Sequence, residues 1–449
     1  TFHNQGKQDE ALEAYNKSIA LKPDYPVAYY NMGSTFHYQG KLDEAIEAYN
    51  KSIALKPDYY EAYYNLGLAF KDQGKLDEAI EAYNKSIALK PDYAIAYSNM
   101  GLTFHDQGKL DKAIEAFKKT ISLKPDYAET YINLSLTLLN SGKIKDALDK
   151  YEWRWKTDEF SSQYRHFSQP LWNKKIPLKG KTILIWSEQG VGDTITWSSS
   201  ISHVASQAQH CVLECQEKLV PLLKRSFPNI EVKAEDKSSD TKRNDFDFHI
   251  PMGSLFKNLN TEIFYKTKVD AYLTPDPDRV NFWKKRLNSL GSGPYIGICW
   301  KSTNMDIKRL PNYAIISELY PVIKLPNVTY INLQYTDFAN DLTKIKKELG
   351  VTIHNFDDLD HFNNIDDVAA LCAALDMVVS TKTTVPLISA AIGTLTKLAN
   401  WRQSPWNNRL LNPVGTSVDI FERDTWKPWK NVFNSIAEDI FTTTKNWSS

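Results

Sequence analysis

The pair Gly6-Lys7 returns at Gly40-Lys41, Gly74-Lys75, Gly108-Lys109 and Gly142-Lys143 with a constant step, since 40 − 6 = 34 and each later difference is the same. A unit of that size cannot bury its apolar face alone, so a strict period of this kind obliges the chain to stack copies on one another. Each unit repeats small and aromatic residues where two antiparallel helices would pack: Tyr29, Gly33, Phe36, Ala45, Tyr49 and Pro57 are matched by Tyr63, Gly67, Phe70, Ala79, Tyr83 and Pro91. The expectation for residues 1–150 is therefore an α-solenoid with a concave groove.

This pattern resembles the tetratricopeptide repeat in period and residue types. Asn31, Asn65, Asn99 and Asn133 recur at one place in the first helix of successive units, and a row of carboxamides can both donate to and accept from an extended backbone. The row is similar to that of the eukaryotic protein O-GlcNAc transferase, which implies a polypeptide partner in the groove. Near-identity of neighbouring units is also what recent duplication leaves, with no tuned ligand.

At 449 residues and 42% hydrophobic content the chain should form two or three domains. Lys+Arg and Asp+Glu balance at 54 each, leaving no bulk field to hold nucleic acid or an anionic membrane. Cys211, Cys215, Cys299 and Cys372 form no CxxC pair, so a reducing, cytoplasmic setting and no metal site are expected. No apolar run reaches about 18 residues, so no membrane-spanning helix is expected. The chain opens in mid-pattern at Thr1, and a native start further upstream is expected.

Beyond the repeats, Tyr151-Glu-Trp-Arg-Trp155 is too aromatic for a loose linker, and residues 151–180 read as a joint. From Lys181 on, β-rich runs alternate with helical patterns: Thr182 to Trp186, Cys211 to Cys215, Phe246 to Ile250, Tyr295 to Trp300, Val328 to Leu333 and Met377 to Ser380. That alternation predicts parallel sheets covered on both faces, an α/β module. The break at Gly291-Ser-Gly-Pro294 divides it into 181–292 and 293–449. Two such domains facing one another would place their strands' carboxyl ends at a shared crevice.

Ile183 to Trp197 reads as strand, tight loop and helix, with Gly190 and Gly192 letting another molecule approach the backbone and Asp193 at the helix start. Ile195 occupies the third glycine position of a dinucleotide fingerprint and no GxxxxGK[ST] occurs, which weighs against nicotinamide, flavin and phosphate-loop enzymes.

Tyr151-Glu-Trp-Arg-Trp155, Lys181 to Asp193, Ile298-Cys-Trp300, and Trp401-Arg402 with Ser404-Pro-Trp406 resemble the bacterial tetratricopeptide proteins whose C-terminal half is similar to the heptosyltransferases. The resemblance implies a GT-B module of two Rossmann-like domains, a nucleotide-sugar co-substrate with no further cofactor, no required metal, and transfer to a hydroxyl, here of a protein. It makes Asp193 the base, with Glu188, Gln189, Gly190 and Gly192 lining the acceptor side. Lys308 is the preferred phosphate contact, in a segment with Lys301, Ser302 and Arg309, and Lys382, Thr383 and Thr384 open a second anion-binding turn. Gln334 and Tyr335 would frame the nucleotide base. The other reading of Asp193 is a helix N-cap.

The family pattern carries an Asp before that threonine and a His four residues after it, where this chain has Lys382 and Leu387. The rival reading is accordingly a silent, transferase-like scaffold for protein interaction, and a third is a transferase acting on glycan or lipid. Asp245-x-Asp247 and Asp276-x-Asp278 read as structural, and Asp357-Asp358-Leu-Asp360 as a solvated loop, the alternative being an ion site with His354 and His361. Trp426, Trp429 and Phe433 share one face of a packing helix.

Overall fold

A computed structural model describes residues 7–236, 238, 240–259, 271–302, 312–401, 417–423 and 427–445. The chain divides into two compact units, Thr1–Thr157 and Asp158–Ser449.

The first unit is a run of antiparallel helix pairs: α1 (Gln8–Leu21), α2 (Pro26–Tyr38), α3 (Leu42–Leu55), α4 (Tyr60–Asp72), α5 (Leu76–Leu89), α6 (Ala94–Asp106), α7 (Leu110–Leu123), α8 (Ala128–Asn140) and α9 (Ile144–Tyr151). Among the described residues the repeated glycine of the Gly-Lys pairs stops a helix in the left-handed region, with φ of 73° at Gly40, 79° at Gly74, 75° at Gly108 and 76° at Gly142, where a Cβ is penalised. The other repeated glycine sets how closely two helices approach. A methyl group on Gly33, Gly67 or Gly101 would stand 2.8, 2.6 or 2.7 Å from the ring of Tyr49, Tyr83 or Phe117.

Polar contacts tie the two helices within a repeat and one repeat to the next. The Ser52 and Ser86 hydroxyls donate to the carbonyls of Pro26 and Tyr60, each at 2.8 Å, and Gln39, Gln73 and Gln107 reach Asp9, Asp43 and Asp77 one repeat back. The aromatic segment after α9 closes this unit: the Trp153 ring stacks on Tyr131 at 3.7 Å, and buried Arg154 lies over the rings of Tyr151 and Trp155. Residues 151–180 therefore do not form one piece, since the compact units part after Thr157.

The second unit holds two wholly parallel sheets. The first comprises β1 (Thr182–Trp186), β2 (His210–Cys215), β3 (Glu231–Ala234) and β4 (Phe248–Pro251), in the order β3-β2-β1-β4. The other comprises β5 (Tyr295–Cys299), β6 (Thr329–Asn332), β7 (Ile353–His354), β8 (Met377–Thr381), β9 (Thr396–Trp401) and β10 (Val418–Arg423), in the order β10-β9-β8-β5-β6-β7. Each sheet is thus wound outward in two directions from its first strand, and in such sheets ligands sit beyond the carboxyl ends where the winding reverses. β1 and β5 are the strands at those points, which is why Ile183 to Trp186 and Ile296 to Cys299 are buried on both faces.

The segment before β1 belongs to the first sheet. Trp172 N donates to His249 O at 2.8 Å, and buried Arg165 is held by Glu214 at 2.7 Å and by Asp240 at 2.9 Å. The helix Pro277–Asn288 belongs with the second sheet rather than with residues 181–292. Its Arg279 and Trp283 both bond Asp367 in the helix Ile365–Ala374, and Trp283 packs on Phe356. The helix Trp429–Lys445 buries Trp429, Phe433, Ile436 and Ile440 against Ile296 and Ile298 of β5 and Met377 and Val379 of β8; Trp426 lies outside the described residues. No helix among the described residues is long and apolar enough to cross a membrane.

Candidate functional site

The chain leaves β1 through Ser187 to Gly190 and enters the helix Val191–Ser198, with Gly190 as its N-cap. Asp193 is therefore not the cap. It lies exposed in the first turn, where a carboxylate faces the positive end of the helix. Glu188 is buried, Gln189 and Gly192 are half-buried and Gly190 is exposed.

A residue without an evident sequence signal fixes this loop. Gln216, which follows β2, donates through Nε2 to Gln189 O at 2.5 Å and accepts at Oε1 from Thr194 Oγ1 at 3.0 Å. One side chain thereby ties the start of the loop to the helix that ends it.

The second sheet repeats the device. Gln334, following β6, accepts at Oε1 from Trp300 N and Lys301 N, both at 3.0 Å, and donates through Nε2 to Lys301 O at 2.8 Å and Thr336 Oγ1 at 2.6 Å. Gln334 is 0% exposed. It cannot frame a nucleotide base as expected from sequence, because burial has committed its amide to the loop after β5. Lys301 is also engaged, its ammonium 2.9 Å from Asp341. Lys308, Arg309, Arg402, Ser404 and Trp406 lie outside the described residues.

The turn after β8 opens the helix Thr384–Ala391 with Thr383 at the N-cap and no side-chain cap bond. Thr383 is buried, its hydroxyl 3.3 Å from Ser380 Oγ and 3.4 Å from Cys299 Sγ. Burial pushes the Cys299 thiol up to about 11, so it remains an uncharged floor. Lys382 and Thr384 are half-buried. The Tyr335 hydroxyl donates to Ser302 Oγ at 3.0 Å, and the Thr384 hydroxyl lies near it. Ser302, Tyr335 and Thr384, from three different strand ends, thus form a cluster of hydroxyls at a helix N-terminus, an arrangement suited to an anion.

The two loops meet. A methyl group on Gly192 would stand 2.9 Å from Leu387 Cδ1 and 3.5 Å from Thr384 Oγ1, so the residue before Asp193 lies against the hydroxyl cluster. Tyr272 holds the same pair of helices, donating from its hydroxyl to Ile195 O at 2.8 Å and from its amide to Ala391 O at 2.9 Å.

The other acidic motifs are structural. Asp276 accepts from Asp278 N and Arg279 N at the start of its helix, Asp245 pairs with Arg243, and Asp247 takes Thr182 N and Lys181 Nζ. Among the described residues no group of three or more His, Cys, Asp and Glu could hold a metal ion.

In the repeats, Asn31, Asn65, Asn99 and Asn133 are all half-buried at equivalent positions. Asn65 and Asn99 each spend an amide hydrogen on a tyrosine of the preceding repeat, Tyr30 at 2.8 Å and Tyr64 at 3.0 Å. The row is therefore stiffened by a tyrosine row that the carboxamide spacing alone did not reveal.

The family model described as TPR repeat matches residues 1–37, 33–74 and 67–108, and that described as tetratricopeptide repeat matches 94–127. Residues 1–127 are tetratricopeptide repeats. Protein FlbA of Caulobacter vibrioides is 30% identical over 283 residues, covering 58% of this chain and 46% of that protein, so the chain spans less than half of the relative's length. Among solved structures, MamA is 33% identical with a TM-score of 0.34, covering 36% of this chain and 94% of its own. A second MamA, from Desulfovibrio magneticus RS-1, is 23% identical with a TM-score of 0.33, covering 34% of this chain and 90% of its own.

Proposed function

We propose that the second unit is a glycosyltransferase of the two-lobed GT-B type, moving a sugar from a nucleotide-sugar donor to a protein hydroxyl, and that the tetratricopeptide array recruits the polypeptide. The observation that carries this reading is the approach of Gly192 to the Thr384 hydroxyl, which a methyl group on the glycine would meet at 3.5 Å. It sets a carboxylate-bearing loop at the switch point of one sheet against an anion-suited helix start at the switch point of the other.

In this reading Asp193 takes the acceptor's proton, the acceptor oxygen attacks the anomeric carbon, and the bond from that carbon to the diphosphate oxygen breaks. The departing diphosphate keeps the electron pair. Ser302, Tyr335, Thr383, Thr384 and the first amides of the Thr384 helix meet its charge, with Lys382 adjacent in sequence. The half-buried asparagine row offers its carboxamide oxygens to an extended polypeptide, since at Asn99 both amide hydrogens are spent, on Tyr64 and on Ile95 O.

One observation favours the scaffold reading. Leu387 fills the space against Gly192 with a side chain that makes no hydrogen bond, so the helix contact can serve packing alone. A thermal-shift panel of UDP, GDP, ADP and CMP separates the two. A transferase should bind one of them and melt at higher temperature by mass action; no shift at saturating concentration of all four rejects the transferase and leaves the scaffold. With a binding nucleotide in hand, Asp193→Ala should keep the shift and lose transfer from the matching sugar donor. Unchanged turnover would remove Asp193 from the role of base.

A further inference from the structure

The ends of the second sheet's strands carry a graded series of side chains. In sheet order from β8 through β5 and β6 to β7, the following loops contribute Thr384, Ser302, Tyr335 and Phe362. The Tyr335 hydroxyl bonds that of Ser302 and has that of Thr384 nearby, and the Tyr335 ring lies 6.4 Å from that of Phe362. The series thus runs from an anion-suited helix start to an aromatic ring along one edge.

Phe362 is placed by its surroundings. The Asp360 carboxylate accepts from Phe362 N and from Asn363 N, each at 2.9 Å, which closes a tight turn beneath the ring. Lys218, from the segment after β2, puts its ammonium 4.1 Å from the ring centroid and donates to Phe362 O at 3.0 Å. Even with that cation in place the residue is 46% exposed, which leaves ring surface open. A phenylalanine with a lysine over it is ordinary on a protein surface. This one differs in its position, at the outer end of the same edge whose inner end holds the hydroxyl cluster.

We infer that Phe362 is the platform on which the base of a bound nucleoside diphosphate stacks, its diphosphate resting at Ser302, Tyr335 and Thr384. The assignment rests on the donor-site reading above and deepens it, because it gives the base a surface where Gln334 gives none. An aromatic face accepts any base, so Phe362 supplies affinity without choosing among bases, on the ring face that the Lys218 ammonium does not cover.

The test is calorimetric titration of the full chain with UDP, GDP, ADP and inorganic pyrophosphate, for the natural protein, Phe362→Ala and Phe362→Tyr. Phe362→Ala should weaken the best nucleoside diphosphate by about tenfold or more while pyrophosphate binds as before, and Phe362→Tyr should restore the nucleotide affinity. If Phe362→Ala binds the nucleotide as tightly as the natural protein, the platform is wrong and the donor-site reading survives. If the variant loses pyrophosphate to the same degree as nucleotide, the ring is only supporting the loop and the platform is again wrong. If the natural protein binds neither ligand, the donor-site reading fails and the platform with it.

Discussion

Gly192 and Leu387 are in direct contact, and the absence of a side chain on Gly192 lets the helix Val191–Ser198 lie against the helix Thr384–Ala391. The glycine that sequence assigns to ligand approach is thus also a packing glycine. Leu387, which stands where a hydrogen-bonding residue was expected, is the side chain packed on it.

Gly192→Ala should therefore destabilise the second unit by about 1–3 kcal/mol through overpacking, and Leu387→Ala by about 2–5 kcal/mol through the cavity it leaves. Because the added methyl enters the space that Leu387 vacates, the double variant should be less destabilised than the sum, with a coupling of about 0.5–3 kcal/mol. Urea unfolding of the four proteins measures it, and strict additivity would mean that the two helices do not press on each other.

Gln334→Leu should cost about 1–3 kcal/mol for each backbone amide left without an acceptor, those of Trp300 and Lys301. Gln216→Leu should be milder, because the Thr194 hydroxyl still has Gly190 O at 3.2 Å. Thermal melts of the two variants would rank them, and the reverse order would show that Gln334 is not holding its loop.

In the repeats the two kinds of glycine should separate. Gly67→Ala meets the Tyr83 ring at 2.6 Å and should lose about 1–3 kcal/mol, recoverable in part by Tyr83→Leu. Gly108→Ala meets no atom within 4 Å but sits at φ 75°, so it should lose only about 1 kcal/mol, through backbone strain alone. Circular-dichroism melts of the two variants provide the comparison.

His249 gives the second unit a pH dependence. It is 3% exposed and accepts from Trp186 Nε1 at 3.2 Å, and burial, then the nearby Arg165 charge, lowers it from 6.5 to about 4. Between those values the unfolded chain binds the proton and the folded one does not, so this contribution is fully present above pH 6.5 and falls away as the pH drops towards 4. His249→Gln should flatten the stability profile across that window, by on the order of 3 kcal/mol at most. An unchanged slope in urea melts between these pH values would place the acid sensitivity elsewhere.

What could be read from residues alone was whatever a local pattern encodes. The 34-residue step, its turn glycines and its packing pairs are written within each unit, and stacking follows because no unit can cover its own apolar face. Six strands were legible because their runs are buried and β-rich. β3, with only Val232 buried, and the two-residue β7 were not, since neither carries enough apolar pattern to stand out from a loop. β9 and β10, which bracket the residues 402–416, were missed as well. The loop after β1 and the turn after β8 were visible as motifs because their glycines, threonines and aspartate are adjacent in the chain.

The partnerships between distant segments were decided only in three dimensions. Nothing local to Gln216 or Gln334 says that an amide will be spent inside on a neighbouring strand's loop, and nothing local to Leu387 says that it will lie on Gly192. The helix Pro277–Asn288 precedes the glycine-rich break yet joins the second sheet, because Asp367, far along the chain, accepts from its Arg279 and Trp283. Periodicity determines which elements form and which face they bury, whereas the pairing of polar groups across the fold depends on which elements the sheet order makes neighbours.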